Sequence, residues 1–471
     1  MRRSAAGILA LALAACAVGP DYRRPDVEVS AAYKEAAGWK VAEPQDESSR
    51  GNWWEIFGDP QLSALLESVD ISNQNVLLAE ARFRQARALA AQSGAALFPT
   101  LDANASITRS RSPSGLIGGT TAGRIVDNRS VGLSSSWEID LWGRLRRAVE
   151  SSAASAQASA ADLAAARLSA QAELASDYFQ LRVLDAQKQL LDDTVTAFDR
   201  SLELTRNRYI AGVAAKVDVV QAETQLKSTL AQAIDTGVQR AQLEHAIAIL
   251  IGKPPSEFSI APVPLAATMP RIPLGLPSEL LERRPDVAAA ERRAAAANAQ
   301  IGVAKAAYFP SLTLSASGGF RSANAADLFT TPSRFWSIGP ALAQSIFDAG
   351  LRSAQTEQAI AAYDATVAQY RQAVLAGFQE VEDNLAALRI LEEEAKVQDD
   401  AVRAARESVV LTTNQYKAGI VSYINVVTVQ TTQLSNERTA VGILGRRLVA
   451  AATLVKALGG GWSAQELAAD R

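Results

Sequence analysis

The sequence predicts a mainly α-helical chain with a smaller amount of membrane β-structure, built as two copies of one unit. Three observations carry this. Glycines recur at a spacing of 207 residues, so that Gly143, Gly212 and Gly252 correspond to Gly350, Gly419 and Gly459. Each copy holds a 68-residue stretch, 144–211 and 351–418, in which Gly377 is the only glycine or proline. Four short segments alternate between apolar and polar residues, the period of a sheet with two unlike faces.

Composition narrows the function first. The 471 residues carry 47 Lys+Arg against 50 Asp+Glu, a net charge of −3. There is no basic surplus to neutralise a nucleic acid. One Cys and one His exclude a disulfide framework and a Cys/His zinc site. They argue against an enzyme and leave no metal site or cofactor to expect. Aromatics are only 6%, which suits long helices packed through small residues.

Residues 1–15 read as a signal peptide. Arg2 and Arg3 form a basic start, and the apolar run Ala5 to Ala15 is too short to cross a membrane. The run ends in Leu13-Ala14-Ala15-Cys16, which resembles a bacterial lipobox, and the chain's one Cys stands where a lipobox needs it. By that resemblance Cys16 becomes the lipidated first residue, and Ala17 after it favours the outer membrane over the inner one. Cleavage removes two arginines and leaves the mature chain at −5. Residues 16–60 form an extended N-terminal segment. No later stretch is apolar for about 18 residues, so insertion has to use strands closed into a barrel.

The first repeat covers 61–251 and the second 286–459. Matches at 207 include Glu173 with Glu380, Leu181-Arg182 with Leu388-Arg389, and Tyr209 with Tyr416. Leu97-Phe98-Pro99 resembles Tyr308-Phe309-Pro310 at 211. Two copies of one structural unit follow. Each 68-residue stretch predicts a helix of roughly 100 Å at about 1.5 Å per residue, which needs a partner to bury its seam. Leu191, Val195, Phe198, Leu202, Thr205 and Tyr209 keep the 4-3 spacing of such a seam. Gly212 and Gly419 are placed as left-handed caps, with return helices at about 213–251 and 420–458. Shorter helices are predicted at about 73–97 and 286–307. The connector 252–285 holds eight of the 17 prolines and reads as an irregular crossover; 460–471 reads as a tail.

Strands are predicted at about 100–108, 130–141, 311–321 and 335–347. The last is the weakest, because Pro340 and Gln344 interrupt its apolar side. Phe98, Trp137, Trp142, Tyr308, Phe309, Trp336 and Phe347 gather at strand ends, as an interfacial aromatic girdle does. A soluble two-faced sheet accounts for the alternation as well. Four strands are too few to close a barrel, so a membrane reading requires oligomerisation.

The chain resembles the TolC-like outer-membrane efflux proteins, in the NodT-type lipoprotein branch. The residues that carry the resemblance are Cys16 with Gly19-Pro20-Asp21-Tyr22 and Pro25, then Trp53-Trp54, Phe57, Asp59-Pro60 and Leu62. Leu280 to Val287, reading Leu-Leu-Glu-Arg-Arg-Pro-Asp-Val, is the most specific stretch; Ala290-Glu291 and Asn298 to Gly302 follow it. The resemblance covers nearly all of the mature chain. It implies a homotrimer whose four strands per chain make a 12-stranded outer-membrane β-barrel, continued by a periplasmic α-helical coiled-coil barrel. It further implies a lipid-anchored outer-membrane duct of a tripartite pump, meeting a periplasmic adaptor and an inner-membrane transporter of the resistance-nodulation-division type.

Passive export needs a polar pore and a gate rather than catalytic groups. The resemblance places adaptor docking at Gly212-Val213 and Gly419-Ile420, although a plain helix cap needs glycine there too. It places Asp218 near the aperture, where three carboxylates in a trimer favour cations. Asp218 equally suits the first turn of a helix. Asn425 and Thr428 stand where relatives carry carboxylates, which thins the acidic ring. Arg208, Tyr209 and Tyr416 are candidate gate contacts, with core packing the rival for Tyr209. Two other functions are open at this level: the outlet of a type I protein secretion system, and a lipid-anchored coiled-coil scaffold without a pore.

Overall fold

The computed structural model describes residues 17–27, 29–30, 32–35, 52–111, 125–263, 265, 269–270, 272 and 283–464. The signal peptide 1–15, the lipobox Cys16 and the motif's first three residues, Leu280 to Glu282, lie outside the described residues. The elements in chain order are α1 (Pro60–Ser72), α2 (Gln74–Ala95), β1 (Thr100–Arg111), β2 (Ile125–Ile139), α3 (Arg144–Ile210), α4 (Lys216–Leu250), α5 (Pro285–Ala306), β3 (Ser311–Ser322), β4 (Arg334–Ala343), α6 (Leu351–Lys417) and α7 (Tyr423–Ala457).

The chain divides into two units. One comprises Met1–Asp26, Arg82–Ser159 and Ala290–Tyr370; the other comprises Val27–Ala81, Ala160–Ala289 and Arg371–Arg471. The first holds the four strands, in order β1-β2-β3-β4 with every pair antiparallel. Its helical part packs through small residues, with Ala154, Ala295 and Ala296 buried against Tyr22. The N-terminal segment is fastened there: the Tyr22 hydroxyl donates to Glu291 Oε1 at 2.5 Å, and Arg147 donates to Asp21 at 2.7 Å.

The second unit holds the larger core. Trp53, Trp54 and Phe57, in a short 3-10 turn, are buried with Leu62, Leu66, Phe179, Ile247 and Leu448. Trp53 Nε1 donates to Gln171. Asp59 caps α1, accepting from the amides of Gln61 and Leu62, and Pro60 opens that helix without needing a donor. Arg182 is buried and bonded to Asp185, Gln61 and the Ala261 carbonyl. The Arg-Arg-Pro-Asp stretch is structural. Arg284 is buried, paired in a fork with Asp286, and donates to Glu380 and the Ala457 carbonyl. Its side chain lies against Gly377, where a Cβ would sit 3.3 Å from Arg284 Cδ. That contact explains the lone glycine in α6.

The long helices α3 and α6 have 67 residues each. Both end in the same way. Gly212 and Gly419 have φ of +75° and +77°. Val213 N bonds to Arg208 O and Ile420 N to Gln415 O, both at 2.9 Å, closing a left-handed Schellman cap. The return helices α4 and α7 have 35 residues each and start about three residues later than the spacing suggests. The difference is the turn itself: Gly212 to Ala215 and Gly419 to Ser422 reverse the chain before helical bonding resumes.

Candidate functional site

The sheet is a wall with two unlike faces. The register puts Leu101, Ala103, Ala105 and Ile107 of β1 beside Val131, Leu133, Trp137 and Ile139 of β2, then Leu312, Leu314, Ala316 and Phe320 of β3, then Trp336, Ile338 and Leu342 of β4. The other face carries Asp102, Asn104, Ser106, Ser130, Ser134, Glu138, Thr313, Ser315 and Ser317. There Asn104 donates to Ser134 and Ser106 bonds Ser130, both at 2.8 Å. The apolar face is the more unusual one, because its large side chains are open: Trp336 is 80% exposed and Ile107 78%. A soluble sheet buries that face. An open one of this extent is built for lipid or for a partner.

β4 ends at Ala343, so Gln344 lies beyond the strand. Pro340 stands opposite Leu314 in β4, the last strand of this chain's sheet, where within the chain only β3 pairs with it. β1 is the other edge. No helix among the described residues is long and apolar enough to cross a membrane.

Phe98, Phe309 and Trp336 are exposed aromatics of the expected girdle. Trp137 and Trp142 are half-buried and serve as ties. Their Nε1 atoms donate to Leu97 O at 3.0 Å and Pro310 O at 2.8 Å, and Trp142 stacks on Phe309 at 4.7 Å.

The two long-to-return turns belong to one core. Phe198, Leu202, Val219, Ala222, Leu226, Tyr416, Tyr423 and Val426 pack together. Arg208 and Tyr416 meet here: the guanidinium lies over the Tyr416 ring at 4.8 Å and donates to the Lys417 carbonyl at 3.1 Å. Tyr209 does not join them. The seam reading puts it in the core with Thr205. Thr205 is fully buried, yet Tyr209 is 43% exposed against 3% for its repeat counterpart Tyr416. The cause lies seven residues on. Tyr423 packs edge-on against Tyr416 at 5.3 Å, whereas the equivalent Lys216 places its ammonium 5.6 Å from the Tyr209 ring. A lysine needs water, so the Tyr209 ring stays at the surface with it. Sequence reasoning missed both pairings, and their signal was the same 207-residue offset.

Asp218 and Asn425 occupy equivalent third positions of α4 and α7. The Asp218 carboxylate accepts from Ala215 N at 3.3 Å, and Asn425 Nδ2 donates to Ser422 Oγ at 3.2 Å. Both therefore have a structural use at a helix start. Burial, the neighbouring Tyr416 hydroxyl and the Asp218 charge together push the Tyr423 hydroxyl up to about 12, against a lowering bond with Ser201. It stays neutral at physiological pH. Val213 and Ile420, beside the cap glycines, are exposed at 64% and 74%. A Cβ at Gly212 or Gly419 meets nothing within 4 Å, so only the backbone conformation demands glycine there.

The model of the outer membrane efflux protein family matches this chain twice, over residues 65–253 and 276–460. The chain belongs to the outer membrane efflux protein family. Its two matched segments correspond to the two repeats. Among curated relatives, the pyoverdine export outer membrane protein OpmQ of Pseudomonas aeruginosa is 34% identical over 422 residues, covering 88% of this chain and 89% of the relative. The toluene efflux pump outer membrane protein TtgC of Pseudomonas putida is 30% identical, covering 97% of this chain and 95% of the relative. The solved outer-membrane channel OprN superposes with a TM-score of 0.89 at 32% identity, covering 95% of this chain and all of OprN. This outer membrane efflux protein is accordingly a channel-family protein of the outer membrane, with long helices that extend into the periplasm.

Proposed function

We propose that the protein is the outer-membrane duct of a tripartite efflux pump, passing small molecules outward as a homotrimer. The observation that carries this is the open four-stranded sheet, apolar on one face, polar on the other, with unpaired edges at β1 and β4. Open edges and an open apolar face are costly in isolation. Pairing β4 of one chain with β1 of the next satisfies both edges, and three chains give about 12 strands, enough to close a barrel around a polar lumen. Cys16 supplies a lipid anchor, and the chain needs no other cofactor. The protein acts as a passive conduit and not as an enzyme. The relatives are named for pyoverdine and for toluene, which fits a conduit whose cargo is chosen upstream.

The exposed Val213 and Ile420 at the two turns are the surface for a periplasmic adaptor, with an inner-membrane transporter of the resistance-nodulation-division class behind it. Arg208 and Tyr416 hold the aperture closed, Asp218 lends it negative charge, and Asn425 keeps the matching position neutral. The deciding experiment is electron microscopy and oligomer mass of the detergent-extracted protein, with conductance in a planar bilayer. A threefold particle that conducts is expected. A monomer, or a particle that leaves the bilayer insulating, would overturn the duct and favour a pore-free scaffold.

A further inference from the structure

The charges on the sheet are sorted by face and by level. Among the described residues the apolar face carries Arg109 and Arg111 on β1, Asp127 and Arg129 on β2, and Arg334 on β4. All five stand at the loop ends of their strands. From Leu101 to Ile107, from Val131 to Ile139, and from Trp336 to Leu342 that face has no charge. Four are arginines and one is an aspartate. Asp127 lies 3.6 Å from Arg109 and 3.8 Å from Arg129, so one carboxylate is shared between two guanidinium groups. Arg334 sits 5.9 Å from the centre of the Phe320 ring on the same face. Arg129 also donates to the Ala323 carbonyl, which fixes its side chain across β2 and β3.

We propose that this band is a binding site for phosphorylated lipid headgroups of the outer leaflet. The inference rests on the duct reading, which turns the apolar face to lipid and the strand ends outward. A lipid-facing surface then presents a net positive belt where the acyl chains end and the headgroups begin. Neutral or zwitterionic surroundings do not require that sign. A headgroup bearing phosphate does, and arginine is the side chain whose planar fork matches phosphate oxygens two at a time. On the same face the Phe320 ring stands beside Arg334 and Trp336 one step further down, where they meet the upper part of the acyl chains. The polar face provides a contrast at the same level: Arg321 turns inward and lies 4.9 Å from the Phe335 ring.

The test is native mass spectrometry of the purified trimer with three probes: lipid A bearing two phosphates, the same lipid stripped of phosphate, and inorganic phosphate alone. The variants are R109Q/R129Q/R334Q together, and R321Q as a control at the same level on the other face. Conductance in a planar bilayer is recorded for each. The expected result is that the wild type and R321Q retain the phosphorylated lipid, while the triple variant holds it on the order of 100-fold more weakly, about fivefold per arginine. Stripped lipid should bind all three equally, and inorganic phosphate should not displace the intact lipid. Equal retention by the triple variant, equal loss in R321Q, or displacement by inorganic phosphate overturns the site while conductance keeps the duct. A chain that never conducts overturns the duct, and the lipid site with it. Should the triple variant fail to assemble, R109Q/R334Q is measured instead, with a loss on the order of 25-fold expected.

Discussion

The contact between Arg208 and Tyr416 makes a quantitative prediction about the aperture. It joins the end of α3 in the first repeat to the end of α6 in the second. Its two parts can be weighed separately. A half-buried guanidinium over a buried aromatic ring contributes about 1 kcal/mol. The bond to the Lys417 carbonyl at 3.1 Å contributes about 1 kcal/mol more, reduced by its exposure to water. Against this, Arg208 Nε and the Tyr416 hydroxyl are buried with no partner, so the latch is not saturated. The total is about 2 kcal/mol per chain, or roughly a 30-fold bias toward the joined state. In the proposed duct, a contact of this size would hold a closed form and still allow an adaptor to break it.

Arg208→Ala removes both parts. In planar bilayers the open-time fraction of the reconstituted trimer should rise roughly 30-fold if chains act singly, and further if they move together. Arg208→Lys keeps charge without the planar stack and should fall between. Tyr416→Leu preserves an apolar filling, and its double mutant with Arg208→Ala should show about 1 kcal/mol of coupling. An intact Arg208→Ala trimer with an open fraction within about twofold of wild type would refute the latch, because so small a shift is less than the ring contact alone supplies.

Three further outcomes follow. Burial, with a smaller contribution from Glu173, raises the Asp177 carboxyl to about 6. Its neutral form is therefore favoured in the fold: that favour is complete below the unfolded value and is lost as pH rises through 6. Asp177→Asn, the residue that the second repeat has as Asn384, should add about 1 kcal/mol at pH 7.5 after allowance for its partial exposure, and nothing at pH 3, as thermal melts will show. Gly445→Ala should cost about 1–3 kcal/mol in the same assay, because a Cβ there collides with Val183; the repeat-equivalent Val238→Ala, at an exposed site, should stay within about 0.5 kcal/mol. Gly212→Trp and Gly419→Trp should impair export in cells while trimers still assemble, since both turns are open; normal export with both bulky turns would remove them from docking.

Much of the fold is readable in the sequence because its strongest signals are absences. With no proline and only Gly377 in the two 68-residue stretches, neither helix has a residue to stop it, and the glycine that follows stops both copies in the same way. The strand alternation is equally plain where the apolar face meets lipid. It fails where that face stops being apolar: β2 begins at Ile125, not near 130, because Asp127 and Arg129 stand on the apolar side and hide the period. The ion pairing that makes them tolerable cannot be read without the register. α1 was hidden differently. Only Asn73 separates it from α2, and the cap at Asp59-Pro60 served the reading as a motif when it was also a helix start. The candidate site was legible as a set of residues, not as a set of contacts. Tyr209 and Tyr416 stand at the same distance from a capping glycine, and what separates their packing is the residue at 216 or 423.

That separation shows how one duplicated unit serves two tasks. The features both turns share are the capping glycine, the exposed aliphatic beside it, and a second exposed aliphatic at Val217 or Ile424. In the proposed trimer these occur six times, which is what a docking surface for a surrounding partner requires. The features that differ are Lys216 against Tyr423, Arg208 against Gln415, and Asp218 against Asn425. These occur three times each and set one turn into an aromatic core while leaving the other wet and charged. An aperture closed by threefold contacts needs this kind of inequality, because six identical turns offer no asymmetry for a latch to act on. Conversion of Lys216 to Tyr would remove the first of these three differences. If the inequality matters, that change should leave docking intact and stiffen the aperture, lowering the open-time fraction where Arg208→Ala raises it.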